Sequence, residues 1–278
     1  MKGTIAYEIL EIIRYWKTIS GMPKASFKIE KIKFGAHALQ YGLLCIPEGS
    51  TVPEKLVYYL HGGGWMFGNP GMFLANAYPF IERGYWVFLP TYRRVPKYNY
   101  FHMEEDVSRS LEQLNAELNL SNKEDFSWMI GGVSAGANLA ANLSLDPNLM
   151  ASLGRPITEL KGTFLCGPPL ELREMKNTPV LRFFAGKETS ELFKKANPID
   201  KLEKGAHSPY FIIQGTKDGL VRWKNVLSFV ERFKETQNQE LIYHEIENGT
   251  HLDAVKWTYL GHPLRAKLMD WVVEKMEG

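Results

Sequence analysis

Cysteine is scarce in this chain, which contains only Cys45 and Cys166 among its 278 residues. The two lie far apart, and neither has the second cysteine or the histidine at the spacing that is typical of a zinc site. A secreted protein stabilised by disulfides usually contains more cysteine, so we expect a reducing, cytoplasmic environment. We expect no metal and no cofactor, and we assign neither cysteine a role in the chemistry.

Long apolar runs are missing as well. No stretch reaches the roughly 18 uncharged apolar residues that a membrane-spanning helix needs. Glu8 and Glu11 interrupt the region in which a signal peptide would have its apolar centre. We therefore expect no membrane partner.

A concentrated basic segment is also absent. The 33 Lys and Arg residues are scattered and nearly balance the 31 Asp and Glu residues, which leaves a formal net charge of +2. A nucleic-acid-binding surface usually concentrates its basic residues, because its affinity comes from neutralising several phosphates together. We expect no nucleic-acid partner, and the charge balance gives no indication of a strongly charged substrate.

Short apolar runs alternate with helical patterns from residue 55 onward. Runs that are apolar on both faces are typical of strands in a sheet covered on both sides, and their alternation with helices predicts a mostly parallel α/β sheet. Two earlier period-2 runs, at 27–34 and 39–43, predict an antiparallel pair. We interpret residues 1–278 as a single domain. The later strands are predicted at 56–60, 85–89, 126–130, 163–166, 210–213 and 241–246, and the helices at 103–118, 135–145, 222–233 and 264–273.

Two segments lie outside this alternation. Helical spacing of apolar residues predicts an amphipathic helix over 4–19, with that face packed on the core or over a pocket. The apolar residues concerned are Ile5, Ile9, Ile12, Ile13 and Trp16. The stretch 171–204 is rich in charge and contains Pro179 and Pro198, which predicts an insertion after a sheet strand.

The pattern Gly132-Val133-Ser134-Ala135-Gly136 lies between a predicted strand and a predicted helix. A serine on such a sharp turn points its hydroxyl outwards, and the turn tolerates little side chain on either side. The next backbone N–H opens the helix and points at developing negative charge. The alternative is a strand-to-helix turn with a capping serine.

A second glycine cluster, His61-Gly62-Gly63-Gly64-Trp65, follows an earlier strand. Consecutive glycines let the backbone approach a substrate oxygen and present N–H donors to it. A phosphate loop is the alternative for such a cluster. Neither glycine cluster has the Lys-Ser or Lys-Thr or the G-x-G-x-x-G spacing that nucleotide binding requires.

A serine nucleophile needs a histidine base and an acid, which follow the serine in the order acid, then histidine, in this kind of fold. Of the seven histidines, His251 stands just after the last predicted strand, and Asp218 stands just after the strand before it. We predict the triad Ser134, Asp218 and His251. Glu247 is the second candidate for the acid, and Asp253 fits a helix cap.

Together these residues resemble one known group of enzymes, the hormone-sensitive-lipase-like esterases. Residues 61–65 match that group's oxyanion motif, and residues 132–136 match its nucleophile elbow. Tyr92-Arg93-Arg94-Val95-Pro96 is similar to the group's Tyr-Arg-Leu-Ala-Pro segment. The resemblance implies an α/β-hydrolase fold, with a mostly parallel central sheet covered by helices on both faces. It also implies a carboxylesterase that cleaves short-chain esters through an acyl-enzyme intermediate.

The resemblance extends to details of the site. It implies that the N–H groups of Gly63, Gly64 and Ala135 form the oxyanion hole, and that residues 1–25 and 171–204 contribute to a small cap. Aromatic residues in segments expected near the site are candidates for the substrate pocket, although core packing explains them equally well. These candidates are Trp16, Trp65 and Phe67, with Phe183 and Phe184 in the insertion.

The sequence departs from the group's pattern at several positions. Val133 stands where the group usually has Asp, and Gly136-Ala137 stands where it has Gly-Gly. Thr91 replaces the Asp before the Tyr-Arg pair, and the group's Asp-Pro-Leu-x-Asp reads Asp218-Gly219-Leu220-Val221-Arg222. No triad residue is lost, but these departures leave the substrate open.

Other functions fit the same motifs. The triad serves acyl transfer in general, so an arylformamidase, another amidase or a peptidase-type hydrolase is an alternative. A non-catalytic small-molecule receptor is the alternative from another class, although such receptors typically lack the histidine that is present here as His251. A homodimer is a further alternative, because a helix that covers a pocket and a helix that forms a dimer interface have the same apolar pattern in sequence.

Overall fold

The computed structural model describes residues 2–22 and 25–278, with only the backbone at 149 and 150. Eight strands of this part of the chain form one sheet. The strands are β1 Phe27–Lys33, β2 Tyr41–Pro47, β3 Lys55–Leu60, β4 Trp86–Pro90, β5 Ser127–Val133, β6 Leu160–Cys166, β7 Tyr210–Gly215 and β8 Leu241–Ile246. Their order is β1-β2-β4-β3-β5-β6-β7-β8. β2 is antiparallel to β1 and to β4, and the other neighbouring strands are parallel.

Helices connect most of these strands. The α-helices are α1 Ile5–Ser20, α2 Tyr78–Ile81, α3 Tyr100–Leu118, α4 Ala135–Ser144, α5 Pro147–Ala151, α6 Pro179–Ala185, α7 Glu191–Ala196, α8 Pro198–Lys201, α9 Trp223–Thr236 and α10 Pro263–Glu277. Short 3₁₀ helices lie at Pro70–Asn76, Leu120–Asn122, Ile157–Glu159, Leu172–Glu174, Leu202–Lys204 and Leu252–Thr258. No helix among the described residues is both long enough and apolar enough to cross a membrane.

The core consists of two apolar layers, one on each face of the sheet. Successive strand residues point to opposite faces, so Tyr58 and Ile130 pack with α3, α4 and α9, whereas Tyr59 and Met129 pack with α2 and α10. Strands covered on both faces need an apolar residue at every position, which explains the continuous apolar runs. The predicted α/β-hydrolase fold, mostly parallel and covered on both faces, is confirmed.

The N-terminal helix is present, and two residues of its predicted apolar face, Ile12 and Trp16, are half-buried against the core, but the prediction is wrong for the other three. Ile5, Ile9 and Ile13 are 50%, 53% and 62% exposed. The buried residues of α1 are Glu8, Glu11, Tyr15 and Ile19. Contacts of the buried residues explain this orientation: the Glu8 carboxylate accepts two backbone N–H groups, and the Tyr15 ring stacks on Tyr259 with 5.7 Å between ring centroids. Apolar periodicity carries no information about such partners.

The segment 171–204 follows β6 and contains α6, α7 and α8. Pro179 and Pro198 stand in the first turn of α6 and α8, where a proline costs no hydrogen bond. The two prolines therefore begin helices in this segment. The predicted insertion contains more regular structure than its sequence indicates.

The parallel strands bring four connections to one edge of the sheet. The carboxyl ends of β3, β5, β7 and β8 lead into residues 61–68, Ser134, Asp218 and His251 in turn. In open α/β sheets this edge is where ligands bind. The candidate residues are therefore held on the ends of strands in a rigid core.

Candidate active site

Ser134 lies on the turn between β5 and α4. Its backbone angles are φ 53° and ψ −123°, a conformation that costs energy for a residue with a Cβ. Its N–H donates to the Cys166 carbonyl at 2.8 Å. The side chain makes no hydrogen bond that caps α4, so a capping function does not account for this serine. It is half-buried at the end of β5.

Close packing requires a glycine at position 136, two residues after the serine. A Cβ placed on Gly136 would lie 2.2 Å from the Leu60 carbonyl oxygen, which no side chain tolerates. The start of α4 therefore packs directly on the end of β3. A Cβ on Gly62 would lie 3.4 Å from the Ser134 Cβ, so the serine turn and the residues after β3 are in contact.

The histidine and the acid form a buried hydrogen-bonded pair. His251 Nδ1 donates to Asp218 Oδ2 at 2.6 Å. The same carboxylate accepts from Gln214 Nε2 at 3.1 Å and from the N–H groups of Leu220 and Val221 at 2.8 and 2.7 Å. Since Nδ1 carries the proton that Asp218 accepts, the neutral imidazole has its lone pair at Nε2. That lone pair is what a general base needs.

The electrostatics of His251 favour proton uptake. Burial alone lowers its pKa, but the charge of Asp218 and its hydrogen bond, together with the charge of Glu8, raise the pKa above the ordinary 6.5. A side chain in this state gains a proton readily and keeps it in a stable ion pair. This suits a residue that takes a proton from a serine.

The imidazole stands next to the serine turn. A Cβ on Gly167 would lie 2.8 Å from His251 Cε1, and the residue before it, Cys166, accepts the Ser134 N–H. Within the described residues no hydrogen bond joins the Ser134 hydroxyl to His251. In hydrolases that contact often tightens only when substrate binds.

Residues 61–68, here called the glycine loop, present free backbone donors. Gly63 and Gly64 have φ of 132° and 58°, and a Cβ on Gly63 would lie 2.0 Å from the Phe67 carbonyl oxygen. The N–H groups of Gly63, Gly64 and Ala135 have no acceptor among the described residues. Unpaired N–H groups at a helix start and an adjacent loop can bind an oxyanion.

His61 holds the glycine loop in place. Burial lowers its pKa to about 4, so the ring is neutral: Nδ1 donates to the Gly62 carbonyl at 2.8 Å, and Nε2 accepts from Thr91 Oγ1 at 3.1 Å. The ring stacks on Tyr92, whose hydroxyl donates to the His61 carbonyl at 2.8 Å. Thr91, one of the departures noted above, is thus a neutral partner for a neutral histidine.

The aromatic pocket candidates occupy three different settings. Trp65 is 4% exposed and stacks on Phe184 of α6 with 4.0 Å between centroids. Phe67 is 52% exposed on the glycine loop. Trp16 packs edge-on against Phe73, whose ring stacks on His61. Trp65 therefore joins the glycine loop to the insertion, while contact of any of the three with substrate stays a prediction.

The other acid candidates lie apart from the imidazole. Glu247 is exposed, and Asp253 accepts from the Thr250 N–H at 2.7 Å and from Lys256 Nζ at 2.5 Å. Asp253 therefore caps the turn after His251, as its sequence position indicates.

Sequence reasoning assigned no role to several residues around the site. Glu8 contacts the His251 backbone, Gln214 contacts Asp218, and Tyr92 supports the glycine loop. Gln214 had a detectable signal, because it is a polar residue inside an apolar strand. Cys166 also lies closer to the serine than its sequence position indicates, through its backbone carbonyl.

The chain is similar in sequence to several named proteins. LipM of Mycobacterium tuberculosis, named as a probable carboxylic ester hydrolase, is 22% identical over 218 residues, which are 72% of this chain and 50% of that protein. A kynurenine formamidase of Drosophila melanogaster is 29% identical over 132 residues, which are 47% of this chain and 42% of the formamidase. The chain thus spans about half the length of the curated relatives it matches.

Structural similarity supports the fold. The crystal structure of esterase B from Lactobacillus rhamnosis superposes with a TM-score of 0.75 at 15% identity, covering 98% of this chain and 92% of the esterase. The profile of the BD-FAE family matches residues 44–233, more than two thirds of the chain, and includes the glycine loop, Ser134 and Asp218. This chain therefore has the α/β-hydrolase fold and belongs to the BD-FAE family.

Proposed function

We propose that this protein is a serine hydrolase that cleaves short-chain carboxylic esters through an acyl-enzyme intermediate. The observation that carries the proposal is the 2.6 Å hydrogen bond from His251 Nδ1 to Asp218 Oδ2, at the sheet edge where Ser134 stands in its unusual backbone conformation. Similarity to proteins named as ester hydrolases supports it.

The first half of the reaction acylates the serine. Ser134 Oγ attacks the ester carbonyl carbon while its proton passes to His251 Nε2, and Asp218 stabilises the imidazolium. The carbonyl electron pair moves to oxygen, and that oxyanion accepts hydrogen bonds from the glycine-loop N–H groups and from Ala135 N–H. When the intermediate collapses, the bond to the alcohol breaks, and the alcohol leaves with the proton from His251.

The second half releases the acid. A water molecule gives a proton to His251 Nε2 as its oxygen attacks the acyl carbon. The second oxyanion uses the same N–H donors, and its collapse breaks the bond to Ser134 Oγ. The serine recovers its proton from the imidazolium, so the protein is unchanged after one turnover.

The direct test uses a p-nitrophenyl acetate assay together with labelling by a fluorophosphonate. The wild-type protein should turn over the ester and be labelled at Ser134. Ser134→Ala should lose about 10⁶-fold in kcat, by analogy with the triad serine of subtilisin, and should not be labelled. Ester turnover by Ser134→Ala at the wild-type rate would exclude the proposed nucleophile.

Amide chemistry is the second candidate, and the similarity to a formamidase favours it. The triad and the oxyanion donors serve an N-formyl aryl amide in the same way. Formanilide and p-nitrophenyl acetate assayed side by side separate the two functions. A larger kcat/KM for formanilide would identify the amidase as the main activity. Stoichiometric ligand binding without turnover or labelling would identify a receptor.

We also propose that the protein acts in the cytoplasm on a small-molecule ester. Cys45 and Cys166 are free and buried, and burial raises the pKa of each thiol to about 12. Protonated, inaccessible thiols suit a protein that does not depend on disulfides. Recovery of the protein in the cytosolic fraction of its cells would check the location.

A further inference from the structure

Glu8 of helix α1 links two loops of the candidate site. The acid loop, residues 216–222, carries Asp218, and the histidine loop, residues 247–251, ends at His251. Glu8 Oε1 accepts the Gly219 N–H at 2.9 Å and the His251 N–H at 3.1 Å. Glu8 is completely buried. One carboxylate oxygen therefore connects the N-terminal helix to both loops.

Burial of the Glu8 carboxyl group costs free energy. Glu8 Oε2 has no hydrogen-bond partner among the described residues, and burial raises the pKa of the Glu8 carboxyl, although the hydrogen bonds from Gly219 and His251 oppose that change. Burying a carboxyl group with an unpaired oxygen costs free energy relative to an apolar side chain. The same helix leaves Ile5 and Ile9 exposed. The C-terminal half of the helix is held by burial of Tyr15 and Ile19, whereas its first turns face the two loops through Glu8 and leave these two isoleucines in solvent.

Gly219 complements Glu8 in two ways. It stands where the resembled esterases have proline, which has no N–H to donate. A Cβ on Gly219 would lie 2.8 Å from the carbonyl carbon of Gly3, so the N-terminal segment fits only against a glycine. The departure at position 219 thus supplies both the donor for Glu8 and the space for the residues that lead into α1.

We propose that Glu8 is a positioning residue of the active site, whose carboxylate ties the acid loop to the histidine loop and holds Asp218 and His251 together during turnover. This inference rests on the proposed function. The charged groups that face His251 are Asp218 from the acid loop and Glu8 from α1, and those that face Glu8 are His251 and Asp218. A negative Glu8 therefore also stabilises the imidazolium.

The kinetic test compares three variants on p-nitrophenyl acetate. Glu8→Ala removes the acceptor and should lower kcat by about 10- to 100-fold with KM changed less than about twofold, because displaced catalytic groups impair the reaction more than binding. Glu8→Gln retains an oxygen acceptor and should restore most of kcat. Glu11→Ala is the matched control, since Glu11 is buried one turn later and pairs with Arg14. It should keep kcat within about twofold of wild type.

A second measurement needs no substrate. The titration of His251 followed by the NMR signal of its Cε1–H should move to lower pH in Glu8→Gln, because the variant lacks the negative charge that raises the His251 pKa. If the contact had only a structural role, the pH midpoint of that titration would not change. Because this readout is independent of turnover, it tests Glu8 even if the protein proves not to be an esterase or if Glu8→Ala does not fold.

Three results would overturn the inference. They are a wild-type kcat in Glu8→Ala, an unchanged His251 titration in Glu8→Gln, and equal losses of kcat in Glu8→Ala and Glu11→Ala that parallel their losses of Tm. Absence of ester turnover in the wild-type protein would instead count against the proposed function.

Discussion

At the scale of single residues, the contact between Asp218 and His251 shows how a parallel sheet brings distant residues together. The two are 33 positions apart, yet they stand after neighbouring strands β7 and β8 whose carboxyl ends meet at one edge. Four hydrogen bonds satisfy Asp218. The acid is therefore held as a rigid acceptor, which is what a residue that orients an imidazole requires.

Replacing the acid by its amide should nearly abolish activity. Asp218→Asn should lower kcat by on the order of 10⁴, the loss found in the serine-protease template, because an amide stabilises the wrong tautomer of the imidazole. Glu247→Gln and Asp253→Asn should change kcat by less than about threefold, since neither residue contacts His251. Steady-state assays of the three variants check this. An inactive Glu247→Gln variant together with an active Asp218→Asn variant would show that the acid is misassigned.

The pH dependence of activity follows from the raised pKa of His251. The ring must be neutral to take the proton of Ser134, and a raised pKa keeps it protonated to higher pH. The value of kcat/KM, which reports the free enzyme, should therefore rise with pH through a midpoint above 6.5. A pH profile between pH 5 and 9 measures it, with Glu247→Gln as the control that leaves the midpoint in place. A midpoint below 6.5 would contradict the assignment.

At the scale of elements, the glycine loop depends on contacts that its own sequence does not reveal. The motif predicts backbone donors, but the loop keeps its shape because the buried His61 ring is held by Thr91 and stacked on Tyr92. These supporting residues come from the connection after β4, next to β3 in the sheet. The loop and its support are thus joined by sheet order and not by chain order.

A methyl group on Gly63 should disrupt this loop. The added Cβ would meet the Phe67 carbonyl oxygen, so the loop must shift and its N–H donors with it. Loss of one oxyanion donor typically costs about 10²–10³ in kcat, and Gly63→Ala should fall in that range. Gly49→Ala is the matched control, because Gly49 also has a positive φ but has open space around its Cβ position. Equal kinetics for the two variants would argue against a role of the loop in the reaction.

The stack of Trp65 on Phe184 couples the glycine loop to α6. Phe184→Leu keeps an apolar side chain but removes the aromatic stack, which should lower the free energy of unfolding by about 1 kcal/mol. The freed Trp65 should admit longer acyl groups, so the ratio of octanoate to acetate turnover should rise. Phe183→Leu, at the exposed neighbouring position, should leave both quantities unchanged. Denaturant unfolding and p-nitrophenyl ester assays measure them, and no difference between the variants would contradict the predicted influence of Phe184 on acyl-chain length.

At the scale of the whole molecule, one sheet with two covered faces supports a site assembled from several elements. The strands contribute the serine, acid, histidine and glycine loop, whereas α1 and the segment 171–204 approach from outside the sheet through Glu8 and Phe184. We expect substrate size to depend on the place where these outer elements meet the glycine loop. The core itself has no space for a substrate, because its layers are closely packed.

The packing of aromatic side chains beside the glycine loop predicts a preference for short esters. Trp65 is buried and packed on Phe184 beside the glycine loop, so we expect this side of the site to admit only a modest acyl group. Across a p-nitrophenyl series from acetate to laurate, kcat/KM should be highest at acetate or butyrate and should fall at longer chains. Ser134→Ala is the control for background hydrolysis. A maximum at laurate would exclude the short-chain preference.

Much of this architecture could be predicted from the sequence because its signals are local. The apolar runs and helical patterns indicated the strands from β3 onward and the main helices, and the rule that catalytic residues follow the carboxyl ends of strands selected Asp218 and His251. The buried face of α1 could not be predicted. Its orientation depends on N–H groups of Gly219 and His251, more than 200 positions away.

The sequence by itself determined the fold class, the family resemblance and the candidate triad, because periodicity and glycine motifs reflect backbone requirements of short segments. Only the tertiary structure decided which acid faces His251, which residues support the glycine loop and which side of α1 is buried. Those outcomes depend on hydrogen bonds and burial between segments far apart in the chain. Such contacts exist only after the strands have taken their order in the sheet.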